Sequence, residues 1–529
     1  MSLTRQAHPC NRQGRRILPP RYAHSLMATD RWTLEKEYRE RVDREVLVGP
    51  ELVRGPHRVA LAYPSPYRAG MSSLGYQWIL RQLRDAGIAA ERVFLPDDPD
   101  AWKQARLRAF SLETGADLSS FPVIAVSLAY ELELAGLVRL LEDCGIPALR
   151  RERGPMDPAV VIGGPLTFSN PLPAASFADV MLLGEADETT VPALQAFFDR
   201  HDREGWLDAV AALPGGYVPE RMGARLPPVA KATDALLPAR SMILTPDTEL
   251  SNMFLLEGER GCHRQCTFCV MRRTTNGGMR LVSPERILEL VPDEAPKVGL
   301  VGAAISDHPK LPDLLETLVA AGKGVGVSSL RADRVARKPR IAQLLRASGA
   351  RTLTVASDAA SQRLRRTISK GTTEAHLLTC AEQAGDLGFD VLKVYMMVGV
   401  PDETDEDLEE LIAFTRQLAA KSRVALGIST FVAKRMTPMD GSGFAGIKPV
   451  EKRLKTITRG LQGKAQVRAT SVRWAWVEYV LAQGGPLAGE AVMHAVRDGG
   501  SFADYKRAFK RLPPEDHRPW ASLEEALAG

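Results

Sequence analysis

Cysteine is scarce: the chain has six in 529 residues, far too few for a secreted domain stapled by disulfides. No apolar run is long enough to cross a bilayer. The first thirty residues hold several arginines, but not the continuous apolar segment and small-residue cleavage site of a secretory signal. They also lack any acid before Asp30. That composition reads as a disordered basic arm, with a transit peptide as the alternative. A strong net charge is absent too. The formal charge of +5 and pI of about 8.8 permit an acidic partner such as RNA without requiring one. No internal repeat of fixed period occurs. What remains is a globular, cytoplasmic protein with 45% hydrophobic and 25% charged residues, long enough for roughly three domains.

Residues 57–188 alternate short apolar runs with helical patterns: "HRVALAYP", "LGYQWILRQLRDAG", "ERVFLPDD", "FPVIAVSLAYE", "AVVIGGPLTFSN" and "ADVMLLGEADE". Buried strands separated by helices predict an α/β domain, a doubly wound, Rossmann-like parallel sheet over 51–190 that follows a basic arm over 1–50. In such sheets ligands sit beyond the carboxyl ends of the strands. Here those ends carry the turn residues Ser65–Ser72, Ser127–Glu131, Gly163–Pro165 and Gly184–Glu188. Residues 191–250 read as a short helix and then a Pro-rich linker wrapping to the next domain. A second strand–helix series over 251–440 ("MFLLEGERG", "KVGLVGAA", "GVGVSSLRAD", "RTLTVASD", "DVLKVYMMVG", "RVALGISTFVAK") predicts a partial (β/α)6 barrel of the TIM type. After Pro438 the strand pattern stops, and 441–529 reads as a helical C-terminal region.

Half of the cysteines fall in "EGERGCHRQCTFCVMRR", as Cys262, Cys266 and Cys269, after the first strand of the second series. A structural zinc site wants four ligands, yet the next cysteine along the chain is Cys380, and His263 neighbours Cys262 too closely to serve easily. An iron–sulfur cubane held by three thiolates keeps one iron open for a small molecule. A zinc loop or redox thiols are the alternatives. Cys144 and Cys380 lie in helical patterns beside apolar residues and read as small buried hydrophobes.

The loop and the barrel pattern resemble radical S-adenosylmethionine (SAM) enzymes. The resemblance implies a [4Fe-4S] cluster on the three cysteines, SAM on its open iron, and Phe268 against the adenine. It further implies reductive cleavage of SAM to a 5′-deoxyadenosyl radical, fed by an electron donor such as flavodoxin or ferredoxin. "VGAAISDHP" stands where the superfamily often has Gly-Gly-Glu; Gly302 is followed by Ala303 and Ala304, so carbonyls are offered to the SAM ammonium but no charged partner. "VASDAASQRLRRTISKG" resembles the fourth-strand segment of the oxygen-independent coproporphyrinogen oxidase and Elongator-like branch. Asp358, Ser361 and Lys370 are the implied site residues, and Ala360 replaces the usual glycine. "YMMVGVPDETDEDL" resembles that branch's Gly-Leu-Pro signature, which implies that Gly399 and Pro401 approach adenine and that Glu403 and Thr404 cap the next helix.

"YPSPYRAGMSSLGYQ", "VSLAYELE", "VVIGGPLTFSNPLPAASFADVMLLGEADE" and "STFVAKRMTPM" extend the resemblance over roughly residues 57–510, to a little-characterised group whose N-terminal domain is related to cobalamin-binding folds. None of the nine histidines stands in the usual cobalt-binding pattern D-x-H-x-x-G. Two readings stay open. In one, cobalamin binds without that ligand, near Ser65, Gly70, Ser72, Ser127, Tyr130, Glu131, Gly163, Gly164 and Gly184. In the other, the domain binds nothing and positions substrate. The first reading implies a deep cavity at the domain boundary, floored by Gly163 and Gly164 and roofed by the cysteine loop.

The basic stretch Lys448–Arg473 could grip RNA phosphates or form a solvated helix face. Trp474 and Trp476 alternate and read as edge and core packing. The implied activity is methyl transfer to an unactivated carbon. The alternatives are a radical rearrangement, cyclisation or oxidation with an auxiliary N-terminal domain, and a non-catalytic cluster carrier. A methylthiotransferase would need three more clustered cysteines. Nothing in the sequence names the substrate.

Overall fold

The computed structural model describes residues 30–200, 202–271 and 278–513. A helix over Arg31–Val42 starts at Asp30, whose carboxylate accepts from the Thr33 N–H, and β1 (Val46–Leu47) follows. Between them Glu45 is buried in a two-point pair with Arg92, at 2.6 and 2.8 Å. The expected arm over 1–50 is therefore part of the fold from residue 30 onward, because a fork-shaped guanidinium ties a buried carboxylate down. The first 29 residues, where the disordered arm was expected, lie outside the described residues.

The N-terminal sheet comprises β2 (Arg58–Tyr63), β3 (Ala89–Phe94), β4 (Val123–Ser127), β5 (Ala159–Gly163), β6 (Val180–Leu182) and β7 (Gly216–Tyr217), in the order β3-β2-β4-β5-β6-β7. All neighbours are parallel except β7, which is antiparallel to β6. Alternate residues enter different cores: Ala60, Ile124 and Ile162 pack into one, Leu61, Ala125 and Val161 into the other. Both faces are covered, which is why the strands read as continuous apolar runs. The strand order turns back between β2 and β4, the switch point of a doubly wound sheet.

The segment expected as a linker over 191–250 is also folded. It finishes a helix over Thr190–Asp199, adds one over Arg203–Ala211, and supplies β7 and then β8 (Ile243–Leu244), which pairs with β1. Trp206 explains part of this. It is 1% exposed, and its indole N–H donates to the Ala193 carbonyl at 3.0 Å. A large buried aromatic anchors the segment despite its prolines.

The second series begins with β9 (Met253–Glu257), then a hairpin of β10 (Glu259–Gly261) and β11 (Met279–Leu281). The strands β12 (Lys297–Val301), β13 (Gly324–Val327), β14 (Leu330–Arg331), β15 (Thr352–Ala356), β16 (Val391–Val398), β17 (Val424–Thr430) and β18 (Gln466–Ala469) follow. They make two parallel sheets, β13-β12-β9 and β14-β15-β16-β17-β18. The segment 324–331 contributes to both, so the sheets meet around an arc. Two features depart from the single six-stranded sheet expected. Ser328 and Ser329 interrupt the third strand, and the Ser328 hydroxyl donates to the Gly302 carbonyl at 3.2 Å. The last strand, β18, comes from the region expected to be helical. Among the described residues no ladder joins β9 to β18, and the arc is open.

Four further helices, Ile447–Gly460, Val472–Gln483, Pro486–Arg497 and Phe502–Phe509, complete the C-terminal region. Trp476 is fully buried and Trp474 is 37% exposed, the core and edge roles expected. The helix Pro486–Arg497 packs on the N-terminal domain, where Arg497 pairs with Glu142 at 2.6 Å and Arg151 with Glu490 at 2.6 Å. The Asn170 amide donates to the carbonyls of Leu481, Ala482 and Gly484, closing the end of the helix Val472–Gln483. No helix among the described residues is long and apolar enough to cross a membrane.

Candidate active site

The three clustered cysteines lie in the loop of the β10–β11 hairpin, beyond the carboxyl end of β9. Cys266 is buried; Cys262 and Cys269 are half-buried. Burial, then the neighbouring thiols, raise the pKa of Cys269, and burial raises that of Cys262. Three anchors hold the loop. The Arg264 guanidinium donates to both oxygens of Asp307 at 2.7 Å, and the Arg264 N–H donates to the Cys262 sulfur at 3.4 Å. The Thr267 N–H donates to the Ile368 carbonyl at 3.1 Å. Phe268 packs partly buried against the main core. Among the described residues no three His, Cys, Asp or Glu side chains are arranged to hold a metal ion. The three thiols share one loop and lie near enough to act on one another, spread around a volume rather than one ion, as the separate irons of a cubane need.

Asp307 was missed by sequence reasoning. It sits in "ISDHP" after β12 with its side chain fully buried, and Arg334 joins Arg264 on it. Burial would raise its pKa, but the two guanidinium groups win and hold it down at about 2. Glu259 was missed as well. It lies on β10, and its Oε1 accepts from the Ala304 N–H at 2.6 Å. A Cβ at Gly302 would overlap that carboxylate. The loop Gly302–Ala304, which lacks its own acid, therefore receives one from the neighbouring hairpin. The signal available was the "EGERGC" run itself, whose second glutamate points back over the next strand's loop.

Asp358 ends β15 with φ 62, a left-handed conformation uncommon outside glycine and best tolerated by Asp and Asn. Its N–H donates to the Tyr395 carbonyl at 3.1 Å, and its carboxylate pairs with Lys370, whose charge in turn acts on Cys269. The structure thus brings Asp358, Lys370 and the cysteine loop together. Ser361 is elsewhere engaged: fully buried, it caps the helix Gln362–Thr367 and donates to Asp407. At the "GVPDET" turn, Thr404 forms the capping box with Asp407, whereas Glu403, expected to cap, does not. Glu403 accepts from the Gly399 N–H at 3.0 Å and from Arg453 at 2.9 Å. A Cβ at Gly399 would come 3.2 Å from both Ala445 and Val450, so the close approach there is made by the C-terminal helix. Arg453 belongs to the basic stretch read as an RNA grip or a solvated face, and it turns inward onto Glu403. Pro401 follows on the same turn, half-buried.

A cavity of about 310 Å³ lies at the boundary of the two domains. One wall is the β4, β5 and β6 face of the N-terminal sheet, with Ser127, Gly163, Gly164 and Gly184. The other carries Glu257, Arg260 and Met271 from the cysteine hairpin. A Cβ at Gly75 would meet nothing within 4 Å, and one at Gly163 only the Leu182 carbonyl at 3.8 Å. These two glycines leave space. Gly164 differs: with φ 102 and Leu128 backbone atoms 2.6 and 2.9 Å from a Cβ, its own chain demands glycine there. Arg260 bridges the walls, donating to Glu257 at 2.7 Å and Asp187 at 2.9 Å.

Five residues expected at a cofactor are placed away from this cavity. Ser65 donates to Glu133 at 3.2 Å, Gly70 packs under Phe94, and the Ser72 hydroxyl is held by Arg68 and Glu249 backbone groups. Glu131 is buried and accepts from Lys434 at 2.7 Å; Tyr130 beside it is 47% exposed. The strand ends split into two neighbourhoods, and the cavity lies on the Gly163 face.

Residues 258–415 match the family described as Radical SAM superfamily, and residues 75–219 match that described as Radical SAM proteins, N-terminal. Together they span more than half of the chain. The chain belongs to the radical SAM superfamily. This radical SAM protein is 28% identical over 411 residues to an uncharacterized protein of Methanocaldococcus jannaschii, covering 75% of this chain and 83% of the other. Its fold is similar to that of the radical SAM methyltransferase TsrM from Kitasatospora setae, solved with cobalamin and a [4Fe-4S] cluster. That match has a TM-score of 0.57 at 14% identity, over 84% of this chain and 99% of that one. A second TsrM structure, with tryptophan and a SAM analogue, matches with a TM-score of 0.53 at 15% identity, over 75% and 76% of the two chains. The radical SAM match begins at Gly258, so the cysteine hairpin opens the matched segment.

Proposed function

We propose that this radical SAM enzyme is a cobalamin-dependent methyltransferase acting on an unactivated carbon. The observation that carries the reading is the shared cavity. Small residues on one wall face the cysteine hairpin on the other, which leaves room for a flat group beside the loop that would hold the cluster. Gly75 and Gly163 make a cradle that any Cβ would begin to fill. A volume of about 310 Å³ is at the small end for ligand sites; it suits a flat tail rather than a whole corrinoid. TsrM, whose fold is similar, was solved with cobalamin bound.

Three thiols, Cys262, Cys266 and Cys269, fit a cubane that keeps one iron free. When bound, the cluster supplies the electron that cleaves SAM, and the corrinoid supplies the methyl group. The chain's own part is placement. Arg264 and Asp307 pin the cysteine loop against β12. Asp358, held by Lys370 at the end of β15, offers a carboxylate beside that loop. Arg260 keeps the hairpin docked on the Glu185–Asp187 turn, so the two walls stay in register. The apolar lining, including Leu61, Val161 and Trp78, keeps water from a reactive centre. The reading requires a reducing partner such as flavodoxin or ferredoxin.

The deciding experiment is anaerobic reconstitution with iron, sulfide and excess hydroxocobalamin, followed by desalting. Retained corrin absorbance together with 5′-deoxyadenosine formation from SAM under dithionite is the expected result. Deoxyadenosine without corrin would replace this reading by radical chemistry with an auxiliary N-terminal domain. The absence of both corrin absorbance and deoxyadenosine would overturn the reading as a whole.

A further inference from the structure

Glu259 carries a second observation that the proposed function leaves unused. The residue is 1% exposed. One carboxylate oxygen is occupied by the Ala304 N–H at 2.6 Å, while the other, Oε2, is buried without a hydrogen-bond partner. No Lys, Arg or His among the described residues pairs with it. The charged neighbours that act on it, Glu257 and Asp307, are both acids; burial and their repulsion outweigh the Ala304 bond and push its pKa up to about 7. A buried carboxylate oxygen with no donor is costly and calls for a cation that donates N–H.

Position narrows the choice of donor. Glu259 stands three residues before Cys262 on the strand that delivers the cysteines, and its carboxylate overhangs Gly302, at the carboxyl end of the adjacent strand β12. The Gly302 carbonyl is already a Ser328 acceptor. The loop Gly302–Ala304 carries no acid of its own. The guanidinium groups of Arg264 and Arg334 are engaged by Asp307, and that of Arg260 by Glu257 and Asp187. A cationic ligand seated between the cysteine loop and β12 would find one carboxylate oxygen there without a partner.

Resting on the reading of SAM as co-substrate, we propose that Glu259 is the residue that pairs with its α-ammonium group, a carboxylate lent across strands to a loop that lacks one. Glu259 is a binding and positioning residue: it sets the orientation of the amino acid end of SAM against the cysteine loop and takes no part in bond cleavage. Gly302 is its accomplice, since only a residue without a Cβ leaves the carboxylate room.

The test is SAM affinity of the reconstituted, cluster-loaded protein, read by equilibrium dialysis and by the SAM-induced change in the electron paramagnetic resonance spectrum of the reduced cluster. Glu259→Gln keeps an oxygen for the Ala304 N–H and loses the charge. It should weaken SAM binding by about tenfold or more, with iron content unchanged. An analogue of SAM lacking the α-amino group should bind the parent protein as weakly as SAM binds the variant, and should not distinguish variant from parent. Equal affinity of parent and Glu259→Gln for SAM would overturn the proposal and leave Glu259 as a prop for the loop. If Glu259→Gln loses iron, Gly302→Ala replaces it, since its Cβ displaces the carboxylate while every residue of the hairpin is kept; unchanged SAM affinity there is equally decisive. A parent protein that binds no SAM would instead defeat the proposed function itself.

Discussion

Cys144 and Cys380 share a residue type with the clustered three but not a chemistry. Both are buried, with thiol pKa values pushed up to about 12 by burial, so neither offers a thiolate near neutral pH. Replacing both by Ala should leave iron per chain unchanged, whereas replacing any one of Cys262, Cys266 or Cys269 by Ala should abolish deoxyadenosine formation. Iron analysis and product chromatography check both halves, and a fall in iron on losing Cys144 or Cys380 would make that residue a ligand. Asp307→Asn tests the anchor of the loop. The variant gives up two charge-assisted bonds from Arg264, together worth about 2 kcal/mol of loop anchoring, and should lose iron to a chelator several-fold faster. The pH dependence follows from the sign of the shift. The Asp307 pKa is lowered from 3.8 to about 2, so its stabilisation is fully present above 3.8 and lost only as pH falls through about 2. The difference between parent and variant in loop hydrogen exchange should therefore be constant from pH 5 to pH 8; one that vanished at pH 5 would mean another group is the anchor.

Among elements, the N-terminal strands end in two kinds of glycine. Gly163 borders open space, and Gly164 is required by its own backbone. Gly163→Val should fill the slot, cut corrinoid retention at least several-fold, and leave iron content at the parent level, because the thiols belong to the hairpin across the cavity and do not line it. Retention equal to the parent's would show that the corrinoid does not enter this cavity. The turn after β16 makes a second element-scale case. Arg453, on the helix Ile447–Gly460, donates at 2.9 Å to both the Glu403 carboxylate and its backbone carbonyl. Arg453→Met leaves a buried carboxylate partly unpaired and should lower stability by on the order of 2 kcal/mol, seen as a lower denaturation midpoint with unchanged slope. The basic run that contains Arg453 looked like a surface in the sequence. Its periodicity shows an amphipathic helix but cannot show that one arginine turns inward to a glutamate fifty residues earlier.

At the scale of the whole molecule, three regions distant in sequence meet at Lys434. Its ammonium donates to Glu131 of the N-terminal domain at 2.7 Å and to Glu478 of the C-terminal helix at 2.8 Å, while its own residue lies just beyond β17. Burial lowers its pKa, but the two carboxylates prevail and raise it. Lys434→Met should free both glutamates. Hydrogen exchange should speed up in residues 128–134 and 472–483 together while the cysteine hairpin stays as in the parent. Acceleration in only one segment would mean that Lys434 does not join the domains. Arg260 is the corresponding contact on the other side, where the N-terminal turn Glu185–Asp187 meets the strand that leads into Cys262.

The local features were legible without coordinates. The C-x-x-x-C-x-x-C loop, the alternation of buried strands and helices in two series, and the inert character of Cys144 and Cys380 all follow from spacing, apolar period and residue chemistry, which act over a few neighbours. The pairing of distant segments was decided by tertiary structure. β18 joins the parallel arc because its edge meets β17, and its short, charged sequence carries no strand period of its own. Residues 30–50 are ordered because Arg92 lies opposite Glu45. Ser65 and Gly70 lie away from the cavity that Gly163 opens, although all three stand at strand ends. Glu259 faces the loop after β12 through the twist and register of β9 and β12, and no spacing along one chain reports which carboxylate a neighbouring strand will lend. Short-range sterics and hydrophobic period are written residue by residue, whereas the partner of a buried charge is settled only when two surfaces close on each other.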